Sequence, residues 1–252
     1  MEPVLEVKNL TKIFKRGGQE DLAAVKNVSF CLYPGEILGI VGESGSGKST
    51  AARMITRLIK ADSGRILLRQ EDITEVRGKR LRQIYQRIQM VFQSPAASFD
   101  PRRTLGDGIG EGLRNSGISR QEARRQVREL LLRCGLKEEF AGRYPHEVSG
   151  GQCQRAAIAR ALAMQPEILI CDEATSALDV TVQRQIVELL TQLRKEQKMA
   201  CLFICHDLAL VQNFCDRVLV MYEGKIVEEG TPDEVIMHPK TEYTRTLVEA
   251  VL

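Results

Sequence analysis

Gly42-Glu43-Ser44-Gly45-Ser46-Gly47-Lys48-Ser49-Thr50 is the stretch on which the fold of this chain turns. It fits the P-loop pattern of Gly, four residues, Gly, Lys, Ser. The apolar run Ile37-Leu38-Gly39-Ile40-Val41 enters it and reads as a buried strand. The segment leaving it, residues 49–59, has helical apolar spacing at Ala51, Met54, Ile55 and Leu58. Strand, glycine loop and helix together are the context that gives this pattern its meaning. Backbone N–H groups must curl around phosphate oxygens, and a Cβ would obstruct that approach. The following helix turns its positive end to the same anion. Lys48 is expected to reach the terminal phosphates of a nucleotide, and the Ser49 hydroxyl to ligate Mg²⁺.

The whole chain sets the bounds. Its 252 residues suffice for one large domain or two lobes with a substantial core. Apolar content of 43% and charged content of 27% are ordinary for a globular protein. A net charge of +3, from 36 basic and 33 acidic residues, lacks the dense basic stripe of a nucleic-acid binder. Met1-Glu2-Pro3-Val4-Leu5-Glu6 carries acids where a signal peptide needs bases, so none is expected. The longest apolar runs lie at residues 37–42 and 199–205. They fall well short of the ~20 residues that span a bilayer. Seven cysteines, none in a Cys-x-x-Cys pair, read as small core residues in a reducing compartment.

Along the chain, the first forty residues read as short strands: Val4 to Val7, then Ala23 to Leu32, with a turn at Pro34-Gly35. Gly64 to Arg69 adds a strand, followed by polar, loop-like sequence, and Ile88 to Phe92 is apolar enough to be interior. From Gln93 to about Ile158 the pattern turns helical, with Ala123, Val127, Leu130, Leu131 and Cys134 on one face. Strand–helix alternation then resumes. Ile168 to Cys171 is a buried strand, and Val182, Ile186, Leu189, Leu190 and Leu193 mark an amphipathic helix. Ala200 to Cys205 is a second buried strand, and Arg217 to Glu229 is a hairpin around Glu223-Gly224. Such alternation implies a mainly parallel sheet covered on both faces. The expected architecture is a single α/β domain over 1–252. A nucleotide-binding core with an N-terminal β subdomain would occupy 1–93 and 159–252, and a helical subdomain 94–158.

Two further motifs carry chemistry. The strand ending at Cys171 runs into Asp172-Glu173. One acid at a strand end can hold Mg²⁺, and the next can polarise an attacking water. In Val148-Ser149-Gly150-Gly151-Gln152, Ser149 and Gln152 have capping-box spacing before a helical pattern over Cys153 to Met164. A bare Ser-Gly-Gly helix start is a second anion-ready end. Cys153, in the first turn, would have a lowered pKa and a reactive thiolate if it were exposed.

With this motif the chain resembles the ABC-type ATPases, whose signature is Leu-Ser-Gly-Gly-Gln; Val148 replaces the leucine. The resemblance implies a P-loop NTPase, RecA-like core with an antiparallel β subdomain and an inserted helical subdomain. It further implies a head-to-tail dimer, in which Ser149, Gly150, Gly151 and Gln152 of one subunit close over ATP on the partner's P-loop. On the same basis Phe14 stacks on adenine, and Gln93 reaches towards Mg²⁺ and the membrane partner. Asp172 and Ser49 hold the metal, and Glu173 activates water. Ser176-Ala177-Leu178-Asp179 forms the dimer-contact loop, with Asp179 counted among the nucleotide-contacting residues. His206 holds the γ-phosphate.

Residues Gln93-Ser94-Pro95-Ala96-Ala97-Ser98-Phe99-Asp100-Pro101-Arg102 are similar to the corresponding stretch in ATPases of oligopeptide, dipeptide and nickel importers. So is His238-Pro239-Lys240-Thr241-Glu242-Tyr243-Thr244-Arg245, although Thr241-Glu242 departs from the usual His-Pro. The resemblance therefore implies the ATPase subunit of an importer for peptides, nickel or metal chelates. It would sit at the cytoplasmic face of the inner membrane, using ATP and Mg²⁺. The implied partners are a second ABC ATPase, a sister subunit rather than a second copy, two transmembrane permeases and an extracytoplasmic substrate-binding protein. The alternative is an ATPase accessory of a soluble complex such as carbon–phosphorus lyase. A chromosome-repair ATPase is excluded, because about 100 residues without sustained heptads separate the P-loop from the signature.

Overall fold

The computed structural model describes residues 1–15, 21–174 and 178–250. In chain order, β1 (Leu5–Phe14) and β2 (Leu22–Leu32) form the opening hairpin, and β3 (Ile37–Val41) feeds α1 (Lys48–Ile55). Then come β4 (Ser63–Leu68), β5 (Glu71–Asp72), α2 (Gly78–Arg87) and β6 (Ile88–Val91). The helices α3 (Leu105–Asn115), α4 (Arg120–Arg133) and α5 (Gly150–Leu162) follow. β7 (Ile168–Asp172), α6 (Val180–Gln197), β8 (Ala200–Ile204) and α7 (Leu208–Phe214) restore the alternation. The chain closes with β9 (Arg217–Tyr222), β10 (Lys225–Gly230), α8 (Pro232–Met237) and α9 (Glu242–Glu249).

Among the described residues the strands form two sheets. One is antiparallel, in the order β2-β1-β4-β5; the other runs β10-β9-β3-β8-β7-β6. In the second, β9, β3, β8, β7 and β6 are parallel to their neighbours, and only β10 turns back against β9. This is the mainly parallel α/β core, antiparallel β subdomain and helical region that the sequence led us to expect.

The parallel strands are buried on both faces, and their side chains divide by alternation between two cores. Ile37, Val41, Leu169, Cys171, Cys201 and Phe203 join α3, α4, α5 and α6 on one side. Leu38, Ile40, Ile168, Ile170, Leu202 and Ile204 join α1 and the antiparallel sheet on the other. The helical region between β6 and β7 therefore shares one continuous apolar core with a face of the sheet.

Two expectations need correcting. The helix after the P-loop ends at Ile55, Arg57 adopts a φ of 62°, and Leu58 lies exposed instead of continuing the apolar face. The polar stretch after β4 is not all loop: residues 78–87 form α2, which has no side-chain N-cap and buries only Ile84. Leu81, Ile84 and Tyr85 stand at helical spacing and turn inward, while Lys79, Arg80, Arg82 and Gln83 are exposed.

Candidate functional site

The parallel order β3-β8-β7-β6 brings four strand ends side by side, and each carries a residue singled out from the sequence. Beyond the carboxyl ends of such strands an α/β sheet binds its ligand. After β3 the chain enters the P-loop. Gly42, Gly45 and Gly47 all have positive φ, at 143°, 82° and 104°. A Cβ on Gly42 would collide with the carbonyl oxygen of Met221, and one on Gly47 with that of Ala24. The loop is thus wedged between β2 and the β9–β10 turn. Gly224 N donates to Ser46 O at 3.0 Å, and Ser46 N to Glu43 O at 3.2 Å.

Gly47 caps α1 without a side-chain hydrogen bond, so the first-turn N–H groups have no intrahelical or capping partner. Lys48 is buried, and its ammonium donates to Gly42 O and Glu43 O, both at 2.7 Å, and to Ser46 Oγ at 3.3 Å. Burial pulls its pKa below the ordinary lysine range, against the opposing carboxylates of Glu173, Asp172 and Glu43. An ammonium held over a carbonyl-lined loop beside orphan N–H groups is suited to a polyphosphate.

Ser49 Oγ donates to Asp172 Oδ1 at 2.7 Å, joining α1 to the end of β7. Asp172 is 2% exposed, and desolvation raises its carboxyl pKa. A buried carboxylate short of compensating charge, paired with a hydroxyl, offers the hard oxygen donors that Mg²⁺ prefers. Among the described residues no group of three His, Cys, Asp or Glu could cage a metal by itself. Mg²⁺ is commonly held by one or two protein ligands together with substrate phosphates.

Glu173 follows with a φ of 51°, unusual for a non-glycine residue, and its N–H donates to Ile204 O at 3.0 Å. Its carboxylate accepts from Gln93 Nε2 and pairs with His206 Nε2. Gln93, Glu173 and His206 thus meet from the ends of β6, β7 and β8. Side-chain exposure is 13% for Glu173 and 45% for His206, so the carboxylate sits within the sheet edge while the ring faces outward.

Phe14 ends β1 opposite Leu22, a short step along β2 from the Ala24 carbonyl that abuts Gly47. It is 37% exposed, with Lys12 Nζ 5.5 Å from its ring centroid. A partly open aromatic on this rim can stack on a flat base.

Ser149 caps α5 by accepting from Gln152 N at 3.2 Å, while Gln152 Oε1 accepts from Ser149 N at 2.9 Å. The capping box forms as expected, with Gly150 exposed. Cys153 does not meet the condition for reactivity: it is 1% exposed, and burial raises its pKa. The α5 face buries it, and desolvation outweighs any help from the helix end. Gln154 Nε2 donates to Phe92 O at 3.4 Å, and the Arg160 guanidinium lies 4.5 Å from the Phe99 ring centroid. The signature helix is thereby tied to the segment around Gln93. Asp179 caps α6, accepting from Val182 N at 3.0 Å. Ser176 and Ala177 lie outside the described residues.

One contact escaped the sequence reading. Glu43 N in the P-loop donates to the Tyr243 hydroxyl at 2.9 Å. The 238–245 motif drew attention to this region but gave no sign of its target.

Comparison with known proteins accords with this geometry. The family described as ABC transporter matches residues 25–176. The oligopeptide transport ATP-binding protein OppF of Salmonella typhimurium is 47% identical, over 98% of this chain and 77% of that protein. OppF of Escherichia coli is 50% identical, over 91% and 70%. The glutathione import ATP-binding protein GsiA of Salmonella paratyphi A is 47% identical; the match covers 99% of this chain but 41% of GsiA. Among solved structures, a dimeric ATP-binding cassette in a post-hydrolysis state bound to ADP and Pi superposes with a TM-score of 0.85 at 33% identity. That alignment covers 90% of this chain and 98% of the cassette.

Proposed function

The chain belongs to the ABC transporter family of ATP-binding proteins, and from that premise we propose that it is the ATP-hydrolysing subunit of a peptide importer. The observation that carries the ATPase reading is the meeting of Gln93, Glu173 and His206 beside the P-loop and the Ser49–Asp172 pair. Oligopeptides come first as cargo, because the OppF relatives carry that name at 47–50% identity. Nickel and metal chelates belong to the same wider subfamily expectation. These relatives are transport proteins, and none of them supports the alternative of a lyase accessory.

In the proposed mechanism, residues 42–50 cradle the phosphates with backbone N–H groups, and Lys48 exchanges its carbonyl partners for phosphate oxygens. Ser49 and Asp172 would hold Mg²⁺, with Gln93 offering a further oxygen, and the ion would supply charge neutralisation on the phosphates. Phe14 stacks on adenine. Glu173 takes the proton of the attacking water as its oxygen bonds to the γ-phosphorus and the bond to the leaving ADP oxygen breaks, and His206, already paired with Glu173, holds the γ-phosphate. Ser149 to Gln152 complete the site of a partner subunit, for which a sister ATPase is favoured, and Asp179 lies in the contact loop. Closure on ATP and reopening after hydrolysis would be passed to two membrane permeases through Gln93 and the loop after it.

No helix among the described residues is long and apolar enough to cross a membrane. The proposed site of work is the inner face of the membrane, docked on those permeases and fed by an extracytoplasmic binding protein, as the likeness to transport ATP-binding proteins supports. Affinity purification from detergent-solubilised membranes tests this. Two polytopic proteins and a second ABC ATPase should co-purify in stable proportion. Recovery with soluble partners alone would refute the transport reading and leave the ATPase reading standing.

A further inference from the structure

The P-loop is held at its entrance by a residue 200 positions away. The Glu43 carbonyl accepts from Lys48 Nζ at 2.7 Å, and the Glu43 N–H donates to Tyr243 Oη at 2.9 Å. Both backbone polar groups of one exposed loop residue are therefore engaged, one by the lysine meant for phosphate and one by the C-terminal helix. When Lys48 turns to phosphate, the carbonyl loses that partner and the Tyr243 contact remains.

Tyr243 is well placed to act as a fixed post. Its ring lies against Tyr222, with centroids 4.0 Å apart and planes tilted 32°. Tyr222 ends β9, and the turn after it donates from Gly224 N to Ser46 O. The start of α9 is anchored on the same hairpin. Glu228 of β10, itself buried, accepts from Lys240 N at 2.9 Å and Thr241 N at 3.1 Å. Thr241 Oγ1 accepts from Thr244 N at 3.1 Å, and Thr244 is 0% exposed. The β9–β10 hairpin thus grips the P-loop twice, directly at Ser46 and through α9 at Glu43.

We propose that Tyr243 is a positioning residue of the nucleotide site, whose hydroxyl holds the Glu43 amide so that the P-loop keeps its phosphate-receiving shape. This rests on the reading of residues 42–50 as the ATP cradle. It assigns a task to the Tyr-Thr pair of the C-terminal motif: Thr244 anchors the helix, and Tyr243 reaches the loop. The rival role for Tyr243 is simple packing on Tyr222, which its ring alone would serve.

Tyr243→Phe separates the two, because it keeps the ring and removes only the acceptor. One neutral hydrogen bond contributes enough to change an equilibrium by roughly 3- to 10-fold. The Phe variant should raise the Kd for the fluorescent analogue mant-ATP with Mg²⁺ by about that factor, and raise KM for ATP in step. Its kcat should stay within about twofold of wild type and its thermal midpoint near wild type, whereas Tyr243→Leu should lower the midpoint as well. Hydrogen exchange at the Glu43 amide, measured without nucleotide, should speed up by a similar factor in the Phe variant. Unchanged Kd and unchanged Glu43 exchange would overturn the proposal, as would a fall in kcat at unchanged Kd. If the Phe variant fails to fold, wild-type exchange decides: a Glu43 amide no slower than Ser44 overturns it. Failure of the wild type to bind mant-ATP would instead refute the nucleotide reading, since the exchange measurement needs no ligand.

Discussion

Replacing Glu173 by Gln removes a negative charge from the point where β6, β7 and β8 end, and little else. The two side chains have the same length, and the backbone at φ 51° meets the same Cβ. In the wild type one carboxylate oxygen accepts from Gln93 Nε2 and the other pairs with His206. In the variant an amide would face the Gln93 amide. Flipping either one restores a donor–acceptor pair, so the apo protein should keep its fold, with a stability change below about 1 kcal/mol. Catalysis should change far more. A general base contributes about 10²–10⁴-fold, or about 2.7–5.4 kcal/mol of barrier, and an amide cannot take the proton. Nucleotide affinity should hold, because Lys48, the P-loop N–H groups and the Ser49–Asp172 pair are untouched. ATP that binds and is not hydrolysed should accumulate a closed dimer with the co-purified partner ATPase, visible by size exclusion of the two together in Mg-ATP and absent in Mg-ADP. Phosphate release gives kcat, and equilibrium dialysis gives Kd. A variant that hydrolyses at the wild-type rate would remove Glu173 from the base role. A fall in kcat with an equal fall in affinity would make it a binding residue.

Lys48→Ala should abolish hydrolysis and weaken ATP binding by about 10- to 100-fold, the range for losing charge-assisted hydrogen bonds, as read by equilibrium dialysis. Ser149→Arg should leave mant-ATP binding intact while preventing the closed dimer in a Glu173→Gln background; losing the cap costs about 1 kcal/mol, seen as a drop of about 2–4 °C in thermal midpoint. Glu167→Gln tests an ion pair that ties the antiparallel sheet to the core. Burial raises the Glu167 pKa, but hydrogen bonds from Arg87 and Arg69 outweigh it, so the folded value is depressed. Its stabilisation is therefore present above the ordinary glutamate range and lost as pH falls through the folded pKa. The Gln variant should melt earlier than wild type at pH 7, and the gap should close on acidification in a series of melts.

Most of the site was legible because its residues follow apolar runs. Each buried strand ends where the sequence turns polar, so Gly42, Gln93, Asp172, Glu173 and His206 could be placed at strand ends from the sequence alone. Adjacency was another matter. That β6, β7 and β8 lie side by side depends on sheet order, which the alternation of strands and helices does not specify. α3 falls inside the stretch expected to be helical, but its own composition kept it from being singled out there. Gly106, Gly108, Gly110 and Gly112 argue against a helix on propensity, yet a Cβ on Gly106 would approach Ala141 O to 2.6 Å, and one on Gly112 would approach Met164 Sδ to 2.5 Å. Close packing decides there, and packing partners cannot be read locally. The tie between Glu43 and Tyr243 was out of reach for the same reason.

The signature illustrates how far one chain goes towards a working site. Ser149 and Gln152 satisfy each other in the capping box, which fixes the start of α5 and leaves the Gly150 and Gly151 N–H groups without intrahelical partners. Among the described residues no hydrogen bond joins residues 149–152 to residues 42–50. Two helix starts, each able to receive an anion, are therefore held rigidly and unconnected within one molecule. α5 is instead tied by Gln154 and Arg160 to the segment around Gln93. Any ligand that bridges a P-loop and a signature must draw together groups that one chain holds apart. In the proposed head-to-tail dimer a polyphosphate between the two subunits would meet that condition: its charge would be favourable at both helix ends at once, and its cleavage would remove the bridge.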